Sequence, residues 1–340
     1  MIKQVIRLIQ PGVFLPCFVA DSPRSPSDIL IRPRYLSICA ADQRYFQGNR
    51  PPEVLAKKLP LALFHEALGE VVMDPSGELT RGSLCVLLPG GEHSLKNNSN
   101  YAQGAFFRSS NADGFCQEVI YMKREELLPV PSGFPDPSLF VFAELMSVSC
   151  QAIRKLQEKT ELKQNARVGV WGDGAMAFMT TLALRHLHPS LQIFVYGKHE
   201  EKLLNFSFAS KKIHASDHKD KSSVDIAFEC VGGHGSQLAI ENAISRLTPT
   251  GTLVLMGVSE TAPTIPTRII LEKGLTLTGV SRSTRADFCQ ALELLSRPLV
   301  YHSLHKMVSH RCSFSSASEL IDIFTFDKRL PFKTIIEVNL

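Results

Sequence analysis

The sequence predicts an α/β protein with a β-rich first domain and a second domain built on a doubly wound parallel sheet. The chain has 340 residues, which is more than one hydrophobic core ordinarily organises, so two domains are expected. Short apolar runs separated by Pro, Gly, Asp and Ser occupy the first half, and strand-like runs alternate with helical segments after about residue 165. This change of pattern indicates two different architectures in one chain.

The first domain is predicted to cover residues 1–150. Its apolar runs are too short for helices and are typical of strands: Ile29–Ile31, Leu68–Val72 and Leu84–Leu88. The polar stretch 90–100 is predicted to be a loop. A long and mostly apolar segment begins near Pro137 and ends in charged residues, which predicts a helix that leads into the second half.

The second domain is predicted to cover residues 151–285, and a C-terminal segment follows over 286–340. Apolar runs such as VGVW, QIFVYG and GTLVLMG alternate with helical segments such as AFMTTLALRHL and HEEKLLNFSFA. Nearly continuous apolar strands are typical of a parallel sheet whose two faces are covered by helices. The C-terminal segment has a predicted helix at ADFCQALELLSR and continues as a tail of mixed pattern.

A glycine motif follows the first predicted strand of the second domain. Gly172, Gly174 and Ala177 form the pattern GxGxxA after the strand Val168–Trp171 and before a predicted helix. The first glycine permits a tight turn, the second lets the backbone approach a pyrophosphate, and the small third residue lets helix and strand pack closely. The helix N-terminus then offers free N–H groups to the phosphates. This context predicts a dinucleotide cofactor.

The end of the second strand predicts which dinucleotide is bound. An acidic residue there would bind the ribose 2′-hydroxyl of NAD, whereas a basic residue would accept the 2′-phosphate of NADP. The sequence Tyr196-Gly197-Lys198 has no acid at this position and places a lysine beside it. We therefore predict NADPH, with Lys198 as a cofactor-binding residue.

Three segments of the first half carry side chains that zinc prefers. They contain Cys39, His65 with Glu66, and Glu144, which offer a thiolate, an imidazole and carboxylates. Three protein ligands and an open position are typical of a catalytic zinc site. Composition alone does not establish the site, because single cysteines are usually buried and a His–Glu pair is often accidental.

Together these segments resemble the medium-chain dehydrogenase/reductase superfamily, in its zinc polyol-dehydrogenase branch. CAAD, which begins at Cys39, resembles the family's CGxD segment, and HEALGEV, which begins at His65, resembles GHExxGxV. Glu144 resembles the ligand of the family's EP segment, and DIAFECVG, which begins at Asp225, resembles DxxxECxG. The resemblance covers essentially the whole chain. It implies a GroES-like first domain, to which the C-terminal segment returns, and a Rossmann second domain.

Further segments resemble the ribulose-5-phosphate reductases of the same superfamily: SICAADQRYFQGNR, KLPLALFHE, AFECVGG, MGVSE and GVSRS. This resemblance implies NADPH-dependent reduction of D-ribulose 5-phosphate to D-ribitol 5-phosphate at a catalytic zinc. The product would supply CDP-ribitol for teichoic acid or capsule and so for cell-wall biogenesis, with functional pairing to a cytidylyltransferase. An NAD(P)-dependent zinc dehydrogenase of unphosphorylated sugar alcohols is the alternative.

The chain also departs from the family's segments. Phe64 stands where the family has glycine and Leu145 where it has proline, and neither change removes a ligand atom. Ala41 replaces the hydroxyl residue that relays protons in alcohol dehydrogenases. The proton donor therefore stays open among four groups: a water, Glu66, Asp42 and Tyr45. Residues 86–115 contain no cysteine, so one catalytic zinc and no structural zinc are expected.

The resemblance also implies how the site works. Cys39, His65 and Glu144 are the expected core ligands of a zinc that polarises the C2 carbonyl while NADPH delivers hydride. Glu66 is either a fourth ligand at rest or a residue that orients His65 or a water. The substrate phosphate requires cations, and arginine suits bidentate contact. The candidates are Arg44, Arg50, Arg108 and Arg282.

Composition argues against several other classes of function. The formal net charge is +4, from 37 basic and 33 acidic residues, which is too weak for a nucleic-acid-binding face. No apolar run reaches the ~18 residues of a membrane span, and the N-terminus lacks the pattern of a signal peptide. Eight scattered cysteines without a CxxC pair favour reduced thiols and a cytoplasmic protein. By analogy of fold, a homodimer is expected.

Overall fold

The computed structural model of the chain describes residues 1–90, 99–102, 104–217 and 219–340. The chain divides into two compact units. The first contains Met1–Ser147 and Arg282–Leu340, and the second contains Val148–Ser281. These boundaries lie three and four residues before those expected at 150 and 285. Residues 91–98 of the predicted loop at 90–100 lie outside the described residues.

The described residues of the first unit form two β-sheets. Strands β1 (Ile2–Gln10) and β2 (Val13–Ala20) form an antiparallel pair. The larger sheet contains β3 (Ile29–Ser37), β4 (Glu66–Met73), β5 (Leu84–Leu87), β6 (Ile120–Met122), β7 (Leu127–Pro129), β14 (Val308–Phe314) and β15 (Lys333–Val338). Its order is β14-β15-β3-β4-β5-β7, and β6 pairs with β3. The last strand of the chain thus lies beside β3, near the middle of the sheet.

Several helices lie wholly or partly in the first unit. They are α1 (Ala40–Phe46), α2 (Pro52–Lys58), α3 (Ala143–Gln157), α8 (Arg285–Leu295), α9 (Pro298–Leu304) and α10 (Ala317–Asp327). Short 3₁₀ helices occur at Ser99–Tyr101, Arg124–Glu126, Pro137–Phe142 and His305–Met307. The helix expected from Pro137 is therefore α-helical only from Ala143, and the boundary between the units falls within α3.

Aromatic packing attaches the C-terminal segment to the rest of the first unit. The ring of Phe324, on α10, lies 5.2 Å from that of Phe14 and 4.9 Å from that of Phe46. It also meets Phe64 edge to face at 5.5 Å. Aromatic pairs at such distances stabilise by roughly 0.5–1.5 kcal/mol beyond the area that they bury. The mixed tail of the sequence is thus part of the first unit's hydrophobic core.

In the part of the second unit that the structure describes, six strands form one parallel sheet. Its strands are β8 (Arg167–Trp171), β9 (Gln192–Gly197), β10 (Lys211–His214), β11 (Val224–Glu229), β12 (Leu247–Leu255) and β13 (Thr276–Gly279). They lie in the order β10-β9-β8-β11-β12-β13, the Rossmann order 3-2-1-4-5-6. Chain order reverses between β8 and β11, where such sheets bind dinucleotides at the carboxyl ends of the strands. The prediction of a doubly wound parallel sheet is confirmed.

The helices of this unit follow the predicted alternation, with one difference in length. They are α4 (Ala175–Leu187), α5 (Glu200–Leu203), α6 (Ser236–Arg246) and α7 (Thr267–Lys273), with a 3₁₀ turn at Gly233–Gly235. The segment HEEKLLNFSFA, expected to be a full helix, contains only the single turn of α5. Phe206 and Phe208 instead pack against Phe178 at 5.5 and 4.9 Å, and this packing outweighs helical propensity.

No helix among the described residues combines the length and the apolar character that a membrane span requires.

Candidate active site

Cys39 lies at the start of α1, directly after the end of β3. Its backbone is extended, with φ −91° and ψ 155°, and its N–H donates to Oδ2 of Asp42 at 3.1 Å. Asp42 lies in the first turn of the helix, where a carboxylate satisfies free N–H groups and complements the helix dipole. This cap orders the backbone of Cys39, whose side chain is half-buried.

Glu66 begins β4 and His65 directly precedes it, after a residue in an uncommon conformation. Phe64 has φ +72° and a fully buried side chain, and the resemblance leads one to expect glycine here. A bulky residue in the left-handed region costs about 1–3 kcal/mol. The packing of Phe64 against Phe324 offsets part of this cost, and its N–H donates to Oδ1 of Asp42 at 3.1 Å. The turn thereby presents His65 to the same carboxylate that caps α1.

The structure brings three of the four predicted metal ligands together. Ligand atoms of Cys39, His65 and Glu66 all lie within 4.8 Å of one another. Nδ1 of His65 and Oε2 of Glu66 are buried and have no hydrogen-bond partner among the described residues. A buried polar atom without a partner is costly, and a bound cation would satisfy such an acceptor. The thiolate, imidazole and carboxylate therefore fit a zinc ion.

Glu144, the fourth predicted ligand, lies in the first turn of α3 and is buried. It is not part of the group within 4.8 Å, although its charge interacts with that group. Burial raises the pKa of Glu144 to about 7, His65 lowers it, and the neighbouring Glu66 raises it. Glu144 is therefore an electrostatic neighbour of His65 and Glu66, and its role as a ligand stays a prediction.

Lys333 is a member of the site that the sequence did not reveal. Its Nζ donates to Oε1 of Glu66 at 2.7 Å and to the backbone carbonyl of Ile38, and its side chain is almost fully buried. Burial lowers the pKa of Lys333, but Glu66 and then Cys39 outweigh that effect and raise it. The two partners are 267 residues apart in sequence, so no local pattern marks the pair.

Asp42 accepts hydrogen bonds from three directions. Besides the N–H groups of Cys39 and Phe64, it accepts from Oγ of Ser109 at 2.7 Å and lies 3.8 Å from Nδ1 of His65. Burial lowers the pKa of His65, but Asp42 and then Cys39 raise it well above its usual value. Asp42 was one of the candidate proton donors. In the structure it accepts hydrogen bonds and thereby holds the segments of Cys39 and His65 together.

Zinc uptake by the metal-free protein is expected to weaken as the pH falls below about 7. Below that value the Glu144 carboxyl binds a proton. The pKa of His65 is also raised, so its imidazole binds a proton more tightly than an ordinary histidine does. Each competing proton lowers the apparent affinity by up to about tenfold per pH unit. Titration of chelator-treated protein with Zn²⁺ at several pH values measures the slope.

The variant Glu144→Gln is the control for this titration, because its amide binds no competing proton. Its zinc affinity is expected to be weaker and to depend less steeply on pH. Equal slopes in the two proteins would contradict the assignment of Glu144 as a ligand.

The glycine motif lies between β8 and α4, as predicted. Gly172 has φ +129°, and a Cβ added there would lie 3.3 Å from the Ala177 Cβ and from the backbone of Cys230. Gly174 precedes α4, and a Cβ added there would meet no heavy atom within 4 Å. The first glycine is therefore required by the turn, and the second leaves open space at the helix N-terminus where a pyrophosphate would bind.

The backbone at the end of β9 donates hydrogen bonds to Asp173, an acidic residue that no sequence pattern marked as functional. Oδ2 of Asp173, inside the glycine motif, accepts from the N–H groups of Lys198 at 2.6 Å and His199 at 2.8 Å. It also lies 3.0 Å from Nδ1 of His199. These donors satisfy the carboxylate, while the Lys198 side chain remains exposed beside it. As the sequence predicted, no acidic residue occupies the NAD-type position at the end of β9. The acid beside that position is Asp173, which belongs to the neighbouring loop.

The chain is similar to known proteins over almost its full length. Residues 25–132 match the alcohol dehydrogenase GroES-like domain, and residues 204–297 match the zinc-binding dehydrogenase family. The chain is 38% identical to Ribulose-5-phosphate reductase 2 of Staphylococcus aureus over 331 residues, covering 96% of both proteins. It is also 38% identical to the Ribulose-5-phosphate reductase of Bacillus spizizenii over 342 residues, covering 99% of both.

A solved structure agrees with these matches. The crystal structure of S. aureus TarJ in complex with NADPH superposes with a TM-score of 0.88 at 34% identity, covering 100% of both chains. The fold class predicted from the sequence, a GroES-like domain and a Rossmann domain, is thereby confirmed.

Proposed function

This chain belongs to the ribulose-5-phosphate reductases, a family of zinc-binding dehydrogenases, and we propose that it reduces D-ribulose 5-phosphate to D-ribitol 5-phosphate with NADPH. The observation that carries the proposal is the buried group of Cys39, His65 and Glu66 in a chain 38% identical to these enzymes over almost its full length. The predictions of an oxidoreductase of this family and of NADPH as its cofactor are confirmed.

Cys39, His65 and Glu144 would hold the catalytic zinc. When bound, zinc supplies Lewis-acid polarisation of the C2 carbonyl. Glu66 shares one carboxylate oxygen with Lys333 and keeps the other toward the metal group. Glu66 therefore serves either as an additional metal ligand or as a negative charge that adjusts the properties of the bound metal.

The cofactor would bind along the glycine motif of the second unit. Gly172 permits the tight turn, Gly174 leaves the backbone open to the pyrophosphate, and Ala177 lets α4 pack closely. Lys198 is the residue proposed to contact the 2′-phosphate, because it lies at the carboxyl end of β9 and its side chain is exposed. NADPH supplies the hydride.

Replacing Lys198 with glutamate is expected to raise the KM for NADPH by about tenfold or more. The substitution removes one charge-assisted contact to the 2′-phosphate and adds like-charge repulsion. NADH, which lacks that phosphate, is expected to keep its KM. Steady-state kinetics with both cofactors measures the change, with Lys212→Met, an exposed lysine on β10, as the control. Equal effects on both cofactors would show that Lys198 does not contact the 2′-phosphate.

The proposed function is tested by following NADPH oxidation with ribulose 5-phosphate and with ribulose, and by repeating the assay with NADH. Preference for the phosphorylated substrate and for NADPH supports the proposal. Faster turnover of unphosphorylated polyols with NAD would instead identify a polyol dehydrogenase.

The partners of this enzyme follow from its chemistry. We propose that a cytidylyltransferase consumes the product, and that the resulting CDP-ribitol supplies teichoic acid or capsule. We also propose a cytoplasmic homodimer. Eight free cysteines are consistent with a reducing compartment. β13 ends the described six-stranded sheet and offers an edge for pairing between copies. Light scattering tests the dimer.

A further inference from the structure

We propose that Asp173 positions the segment that binds the 2′-phosphate of NADPH, and that its side chain fills the place of the acid found in NAD sites. It would thereby determine cofactor specificity without contacting the phosphate itself. This inference rests on the proposed function, because it concerns the same cofactor and the same Lys198. Asp173, Gly197 and Lys198 all belong to the second unit.

Gly197 is the last residue of β9, where an NAD site carries its ribose-binding acid. Its φ lies outside the left-handed region, so the backbone itself does not require glycine. A Cβ added at Gly197 would lie 2.8 Å from Cβ of Asp173 and 3.0 Å from its Oδ2. It would also lie 2.8 Å from Cδ2 of Leu203, which ends a flexible side chain and can move aside. Asp173 therefore leaves room only for glycine at the position of the acid.

Asp173 also fixes the backbone that follows Gly197. Its Oδ2 accepts from the N–H groups of Lys198 and His199 and lies 3.0 Å from Nδ1 of the His199 ring. Only 12% of the Asp173 side chain is exposed, so water competes weakly for these bonds. Two successive N–H groups that donate to one oxygen set the direction in which the chain leaves β9.

The carbonyl groups of the same two peptide bonds are hydrogen-bonded as well. The Gly197 carbonyl accepts from the N–H of Ala215 at 2.7 Å, and the Lys198 carbonyl accepts from Nε2 of His214 at 2.7 Å. Both peptide bonds that flank Lys198 are thus held at their N–H and at their C=O, while the Lys198 side chain is exposed. An exposed ammonium on a fixed backbone is preorganised to bind an anion, because little ordering is left to occur on binding.

The donors around Asp173 explain how an acid lies inside the glycine motif of an NADPH site. A free carboxylate near the 2′-phosphate would repel it. Here Oδ2 faces two backbone N–H groups, whose dipoles offset its charge. If Asp173 instead served as the ribose-binding acid, the protein would bind NADH at least as tightly as NADPH. Removing the carboxylate therefore weakens NADPH binding in the first case and NADH binding in the second.

The first test measures the dissociation constants of NADPH and NADH by fluorescence titration of zinc-loaded wild-type protein, Asp173→Ala and Asp173→Asn. Asp173→Ala is expected to raise the Kd of NADPH by about tenfold or more, because binding must then order the Lys198 backbone. The Kd of NADH, which has no 2′-phosphate, is expected to change by less than about threefold. Asp173→Asn, whose amide oxygen can still accept, is expected to keep the Kd of NADPH within about threefold.

A double variant shows whether Asp173 acts through Lys198. Lys198→Met removes the contact with the 2′-phosphate, so adding Asp173→Ala to it is expected to raise the Kd of NADPH by no more than about twofold further. If the effects of the two substitutions multiply, Asp173 has a general structural role and the proposal is wrong.

An exchange of two residues tests whether Asp173 occupies the place of the acid. Gly197→Asp alone forces a second carboxylate against Asp173 and is expected to weaken the binding of both cofactors. Gly197→Asp combined with Asp173→Gly removes the obstructing Cβ and is expected to bind NADH about tenfold or more tightly than the single variant does. Tighter binding of NADH by the single variant than by the wild type would show that the place of the acid is not filled.

Glu161→Ala is the control, because it removes an exposed acid of the same unit from the segment before β8. It is expected to change neither Kd by more than about twofold. Circular dichroism and the urea midpoint show that each variant is folded. If the wild type prefers NADPH and Asp173→Ala keeps that preference, or if both Asp173 variants bind NADPH more tightly, the inference is wrong and the role of Lys198 stands. If the wild type has no preference for NADPH, both are wrong.

Discussion

Removing the metal from the site at Cys39, His65 and Glu66 is expected to lower kcat for ribulose 5-phosphate by about a thousandfold or more. Lewis-acid stabilisation of the developing charge contributes several kcal/mol, and each 1.36 kcal/mol is about tenfold in rate. NADPH binding is expected to persist, because the glycine motif belongs to a separate compact unit. The measurements are metal content per chain, NADPH affinity and turnover before chelation, after chelation and after zinc is restored.

A substitution separates loss of zinc from damage caused by the chelator. Cys39→Ser exchanges the thiolate for a weaker ligand and is expected to lower both zinc content and kcat. Cys289→Ser changes an exposed cysteine on α8 and is expected to change neither. Full turnover in protein that has lost its zinc would rule out the metal-dependent mechanism while leaving the reductase assignment in place.

Lys333→Met is expected to lower the free energy of unfolding of the metal-free protein by about 3–5 kcal/mol, because it leaves the Glu66 carboxylate buried without its counter-charge. Glu66 is fully buried, and Lys333 is its ion-pairing partner at 2.7 Å. Such a loss is a large fraction of the stability of a typical domain. Urea unfolding of chelator-treated proteins measures it, and Lys212→Met, which removes an exposed lysine, is expected to change stability by less than about 0.5 kcal/mol.

The double variant Lys333→Met with Glu66→Gln distinguishes a broken ion pair from a simple loss of packing. With the carboxylate also neutral, much of the lost stability is expected to return, and the coupling energy of the cycle gives the interaction of the pair. Zinc affinity adds a second measurement, since Lys333→Met frees both carboxylate oxygens of Glu66. A Lys333→Met variant as stable as the wild type would show that the ion pair with Glu66 does not stabilise the folded protein.

The candidate metal site also shows how a bulky residue is accommodated at a position where the resemblance leads one to expect glycine. Phe64 takes a left-handed conformation that glycine would adopt without cost. Its ring joins the cluster of Phe14, Phe46 and Phe324 in the hydrophobic core. The backbone strain of the turn is thus offset by burial, and the turn still presents His65 to Cys39.

Much of this protein was predictable from local sequence patterns. The glycine motif lies between β8 and α4, and the alternation after residue 165 forms the six-stranded sheet, because turn chemistry and side-chain periodicity act over a few residues. Three predicted metal ligands come together because each lies at the end or start of an element that its own segment specifies. The short α5 was mispredicted, since contacts with Phe178 on another helix decide where that segment bends.

Other features of the site were decided by the tertiary structure alone. The pairing of Lys333 with Glu66 joins residues 267 positions apart, and the tail that carries Lys333 has no pattern of its own. Asp42 gathers Cys39, Phe64 and Ser109 only because β3, β4 and the segment after residue 99 meet in one unit. The sequence by itself thus determined the fold class and the position of the glycine motif, and it singled out three candidate ligands that the fold brings together. The fold decided which charged residues lie against the candidate ligands. Buried ion pairs and hydrogen bonds depend on distances in space, and separation along the chain does not encode those distances.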